Sequence, residues 1–89
     1  MEKTKYIIEY DKAIEEKLKK LPKAIREMIR IAIEKKLTFD PITFGKPLRY
    51  SLKGYRRMRV SDYRVIYKVI EDRLVVLIIE IDHRKDVYE

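Results

Sequence analysis

The sequence predicts an α+β domain: an N-terminal strand, a two-helix hairpin, then an antiparallel three-stranded meander, giving a four-stranded sheet with the helices on one face. Three observations carry this. Apolar residues recur at helical spacing early in the chain, at Ile14, Leu18 and Leu21 and again at Ile25, Met28, Ile29, Ala32, Ile33 and Leu37. From Tyr55 onward the period changes to two, first in YRRMRV and then in YRVIYKVI. Residues 74–81, LVVLIIEI, are almost continuously apolar. A strand that is hydrophobic on both faces sits between neighbours, which puts it between the meander and the first strand.

Taken in order, residues 5–10 read as a short strand with Tyr6, Ile8 and Tyr10 on one face. Asp11 stops it and caps the first helix, with Glu15 and Glu16 near the positive end of the helix dipole. Pro22 suits the first turn of the second helix, where its missing N–H is no loss. Residues 38–47, TFDPITFGKP, hold two prolines and a glycine and read as a loop, pinned to the body by Phe39, Ile42 and Phe44. The strands Tyr55–Val60 and Tyr63–Ile70 are joined by a turn at Ser61-Asp62, and Glu71-Asp72 turns the chain into the last strand. Tyr55, Tyr63 and Tyr67 read as core or half-core. With 89 residues and no repeat, the chain is a single domain spanning 1–89.

The charge is unevenly placed. The net charge of the chain is +7. Residues 46–68 hold 8 basic and 1 acidic side chains, a net of +7, whereas 1–45 and 69–89 carry +3 and −3. A solvated strand face, or charges that keep an edge strand from aggregating, accounts for one or two of these cations. Concentration in 23 residues is the footprint of a polyanion site. Arg57 and Arg59 on one strand and Arg64 on its neighbour have the spacing to converge on the sheet face the helices leave uncovered, if the register allows it. The chain has no cysteine and one histidine, which excludes disulfides and thiolate metal sites, and no metal or cofactor is expected. No apolar run approaches the roughly 20 residues needed to span a bilayer. The N-terminus, MEKTKYIIEYDKAIEEK, lacks a secretory core, so a cytoplasmic location is expected.

The element order, together with LKGYRRMRVSDYRVIYKV, an acidic turn, LVVLIIEI and the closing DHRKDVY, resembles the RelE/ParE toxin superfamily, the toxin halves of toxin–antitoxin pairs. The resemblance spans essentially the whole chain and is densest from 48 to 88. It implies a RelE-like, microbial-RNase-like fold. It also implies a ribosome-dependent endoribonuclease that cleaves mRNA in the A site by attack of the ribose 2′-hydroxyl on the adjacent phosphate, and so inhibits translation. The alternative within the superfamily is a ParE-like DNA gyrase inhibitor without nuclease activity. A third reading is a non-toxic RNA-binding module on the same scaffold.

The resemblance places catalytic residues at Arg57, Arg59, Arg64, Arg84 and Tyr88. Lysines stand in the family pattern where this chain has Arg57 and Arg59. Arginine stays protonated, so these two stabilise charge and the proton acceptor is left open. His83 is a candidate acid or base, being the one side chain here with an unperturbed pKa near neutrality, and other branches of the superfamily use a C-terminal histidine. Lys46, Arg49, Lys53 and Arg56 are expected to bind RNA through phosphates. The expected partners are the ribosome and mRNA and a cognate RelB-type antitoxin, in a heteromeric complex whose acidic, partly disordered segment covers the basic patch.

Overall fold

The computed structural model describes residues 4–48 and 54–83. In chain order the elements are β1 (Ile7–Tyr10), α1 (Lys12–Lys19), α2 (Lys23–Leu37), the one-turn α3 (Pro41–Phe44), β2 (Lys46–Pro47), β3 (Tyr55–Val60), β4 (Tyr63–Ile70), a 3₁₀ turn (Glu71–Arg73) and β5 (Val75–His83). The sheet order is β1-β5-β4-β3-β2. β1 runs parallel to β5 and every other pair is antiparallel. The α+β class and the position of β5 between β1 and β4 agree with the sequence reading.

The strand count does not: the described residues form five strands, not four. Residues 38–47 are more ordered than their prolines suggest, because each proline sits where its missing N–H costs nothing. Pro41 opens α3, and Pro47 lies on a sheet edge, paired across from Arg56. Pro22 also differs slightly, standing just before α2 as its N-cap. Asp11 caps α1 as expected, its carboxylate accepting from the Ala13 N–H at 3.2 Å.

Helical spacing and strand alternation meet in one core. Ile14 and Leu18 of α1 and Ile29, Ile33 and Leu37 of α2 pack on Met58, Val60, Val65, Tyr67, Val69, Val76, Ile78 and Ile81 of the sheet. Ile78 and Ile81 are three residues apart, yet both are buried. Strict alternation would expel one of them. A bulge between the pairs Tyr67↔Ile78 and Ile66↔Glu80 inserts Ile79 and resets the phase, so Ile81 returns to the core side and Glu80 and Asp82 turn outward. No helix among the described residues is long and apolar enough to cross a membrane.

Candidate nucleic-acid interface

The basic site follows from the register of three short strands. Arg59 lies directly across from Arg64, Arg57 from Ile66, and Lys46 from Arg57. Paired residues share a face, and the alternate positions Met58, Val60, Val65 and Tyr67 are buried under the helices. Lys46, Arg57, Arg59 and Arg64 therefore stand together on the uncovered face. They line a cleft of about 370 Å³ with Phe44 and Met58. The cleft opens where β2 ends: Lys46 still pairs with β3, the chain before it turns away as α3, and the β3 edge beyond Arg57 is left free.

Like charges directly across an antiparallel pair destabilise it by a few tenths to about 1 kcal/mol. Among the described residues, neither Arg59 nor Arg64 forms an ion pair that would offset this. Arg59→Thr, which replaces an exposed cation with a good strand former, is therefore expected to raise Tm by about 2–4 °C in a thermal melt. Unchanged or lower stability would mean that Arg59 is held by attraction, not tolerated at a cost.

Two acids on the neighbouring strand β5 are engaged by a lysine. Asp82 is the strand partner of Arg64, and Glu80 that of Ile66. β1 ends opposite Ile78, so α1 can reach round the β5 edge. From there Lys17 Nζ meets Asp82 at 3.0 Å and Glu80 at 3.3 Å. Burial alone would raise the Asp82 pKa, but hydrogen bonding with Glu80 and Lys17 and the cations of Lys17 and Arg64 hold it below the ordinary carboxylate value. Lys17 thus takes up the two carboxylates that flank Arg64. Sequence reasoning had no signal for this contact, which joins positions 63 and 65 residues apart.

The wall opposite β3 is α3, fixed from below. Tyr67, fully buried in β4, donates its hydroxyl to the Pro41 carbonyl at 2.6 Å. Burial pushes this phenol's pKa up, against a weaker pull from Arg56, so the hydroxyl stays a donor. Arg56 donates to the carbonyls of Ile42 at 2.7 Å and Gly45 at 2.8 Å. Arg56, expected among the RNA contacts, faces the covered side, across from Tyr67, and holds the α3 turn. Phe39, Ile42 and Phe44 are 43%, 45% and 48% exposed, and buried Pro41 and these hydrogen bonds hold the segment to the body. Phe44 is the cleft residue that sequence reasoning misplaced, because its position depends on the pairing of Lys46 with Arg57 and not on any local pattern.

His83, the candidate acid or base, is set apart from the arginines. It pairs with Tyr63 on the side of the sheet where Ile81 and Val60 are buried. Its ring meets Tyr63 edge-on, centroids 4.8 Å apart, across the sheet from the arginines. Arg49, Lys53, Arg84 and Tyr88 lie outside the described residues. Of the expected site residues within them, the structure brings together Lys46, Arg57, Arg59 and Arg64 and sets apart Arg56 and His83. Among the described residues no group of three His, Cys, Asp or Glu side chains is placed to hold a metal. Chemically, the cleft can neutralise an anion and position it, and a guanidinium pair across β3 and β4 suits a phosphate.

Known proteins share this fold. Toxin RelG of Mycobacterium tuberculosis strain H37Rv is 31% identical over 83 residues, covering 93% of this chain and 95% of that protein. The toxin–antitoxin complex RelBE2 of the same organism contains a chain that superposes with a TM-score of 0.83 at 30% identity, covering 93% of this chain and 95% of that one. A chain of the RelE–RelB complex from the archaeon Pyrococcus horikoshii gives a TM-score of 0.67 at 26% identity, covering 93% and 99%. Residues 8–88 match the family model described as the ParE toxin of type II toxin–antitoxin systems, parDE. With the helix-backed sheet and its exposed arginines already in place, these likenesses make the chain a member of the ParE toxin family, a RelE-like toxin of a type II toxin–antitoxin system.

Proposed function

We propose that this toxin is a ribosome-dependent endoribonuclease that cleaves mRNA in the A site. The observation that carries the reading is the gathering of Lys46, Arg57, Arg59 and Arg64 round one cleft, with the neighbouring carboxylates engaged by Lys17. In the proposed reaction the ribose 2′-hydroxyl attacks the adjacent phosphorus, the 5′-oxygen leaves, and a 2′,3′-cyclic phosphate remains. Negative charge grows on the phosphate oxygens as the new bond forms, and fixed guanidinium groups are worth most at that point. Arg59 and Arg64 suit this role, with Arg57 and Lys46 holding the flanking backbone. None of the arginines accepts the 2′-hydroxyl proton, since each stays protonated at usable pH.

Purified toxin added to a translating extract is expected to cut message at codons and leave 2′,3′-cyclic ends, detected by end-specific ligation. Message left whole at stoichiometric toxin would overturn this. The family match to ParE toxins supports a second reading, inhibition of DNA gyrase without nuclease activity. Stalled DNA breaks in a supercoiling assay, with message intact, would select it. Under either reading we propose a cognate RelB-type antitoxin that covers the basic face, as RelB accompanies RelE in the Pyrococcus complex. A heteromer of toxin and co-expressed antitoxin in size-exclusion chromatography would support this, and separate elution at micromolar concentration would refute it.

A further inference from the structure

We infer that Phe44 is a stacking platform for one base of a single-stranded RNA whose phosphates lie on the arginine cluster; this rests on the RNA reading above. Half-exposed apolar side chains are ordinary on a protein surface, and what sets Phe44 apart is its place beside the cations. Phe44 is 48% exposed, and it forms part of the wall of the cleft that Lys46, Arg57, Arg59 and Arg64 line. Its backbone is not a loose loop. The turn that carries it is tied down on both sides, by Arg56 to the carbonyls of Ile42 and Gly45 and by Tyr67 to that of Pro41. The Lys36 ammonium lies over the ring, 5.8 Å from its centroid, and Lys36 is not part of the cleft wall. Lys36 of α2 thus stands against the same ring that helps to line the cleft.

The composition of the wall selects the occupant. Four cations with no acid among the described lining residues call for an anion, and a half-exposed aromatic side chain suits a flat apolar group beside it. A nucleotide supplies both at fixed separation, phosphate and base. Single-strand binders use this combination of a cationic groove and aromatic platforms, and each stacked base contributes about 1–3 kcal/mol irrespective of its identity. An antitoxin side chain is the competing occupant. It would need an acid and a hydrophobe at the same spacing, and it would not discriminate a base from its absence.

The test is the affinity of the full chain for a short single-stranded RNA of mixed sequence, measured by fluorescence anisotropy over a range of salt, with each base in turn replaced by an abasic site. Phe44→Ala is expected to weaken binding about 5- to 100-fold. Phe44→Tyr should retain it. The salt dependence should keep its slope in Phe44→Ala, because no phosphate contact is lost, whereas Arg59→Ala should flatten it by about 0.7. At one position the abasic RNA should bind wild type as weakly as intact RNA binds Phe44→Ala, with no further loss when the two changes are combined. Because the side chain is exposed, Phe44→Ala should keep its circular dichroism and melting temperature.

If RNA binds with Arg59-dependent salt sensitivity but Phe44→Ala and every abasic substitution are neutral within twofold, the stacking inference falls and the RNA reading stands. If antitoxin capture alone is weakened by Phe44→Ala, the platform belongs to a protein partner and the inference is again wrong. If no free RNA binds at low salt, the stacking inference falls, while the nuclease reading is decided separately by message cleavage in the translating extract.

Discussion

Arg64→Ala is expected to lower message cleavage in a translating extract by at least about 100-fold, the scale on which removing one fixed donor from a developing oxyanion acts. Arg64 stands at the centre of the cluster, across from Arg59 on one strand and Asp82 on the other. Its Nε is buried with no hydrogen-bond partner among the described residues, so truncation removes an unsatisfied donor. It also relieves the repulsion with Arg59. Loss of cutting should therefore come without unfolding, with a melting temperature within a few degrees of wild type. His83→Gln is the internal contrast. Set against Tyr63 on the far side of the sheet, it should leave cutting within about tenfold of wild type. The reverse pattern, an active Arg64→Ala beside a dead His83→Gln, would place the chemistry on the wrong side of the sheet.

The largest effect on stability is expected at Gly45. Its φ of −109° is open to any residue, so backbone strain is not the reason. A Cβ there would overlap the Tyr67 hydroxyl and come within 2.6 Å of its Cζ. Tyr67 is fully buried among core residues and cannot swing aside cheaply. Either the ring leaves its rotamer or the α3 turn lifts, and the second course breaks the bond to Pro41 and those of Arg56 to Ile42 and Gly45. Overpacking plus a lost buried hydrogen bond gives about 3 kcal/mol for Gly45→Ala, a fall in Tm of about 12 °C or more. Tyr67→Phe removes the overlapped hydroxyl, so adding it to Gly45→Ala should recover part of the loss even though Tyr67→Phe alone is destabilising. Simple additivity of the two changes would refute the clash.

The same contacts tie fold to function. Arg56 and Tyr67 reach from the covered side of the sheet to the turn that sets Phe44 and Lys46 at the mouth of the cleft. An arginine inside a basic run was thus spent on architecture, while its neighbours at Arg57 and Arg59 were left facing water. Alternation alone separates these two uses, since adjacent strand residues point to opposite faces.

Periodicity in the sequence was enough to determine the helical hairpin, the meander, the position of β5 between its neighbours and the concentration of cations on β3 and β4. These are local properties, written in spacing and in which residues are apolar. Register is not local, and only tertiary structure decided it. The direct opposition of Arg59 and Arg64 turned a compatible spacing into a cleft. The bulge at Ile79 shifted the phase of β5. Counted from buried Val76 and Ile78 by strict alternation, His83 would share the arginine face and Asp82 would be buried; one inserted residue exchanges them. Lys17 then captures Asp82 and Glu80 from a helix more than 60 residues away. Residues 38–47 read as loop because proline and glycine break regular structure on their own. A sheet edge, a helix start and a tyrosine hydroxyl supplied the places where those breaks cost nothing.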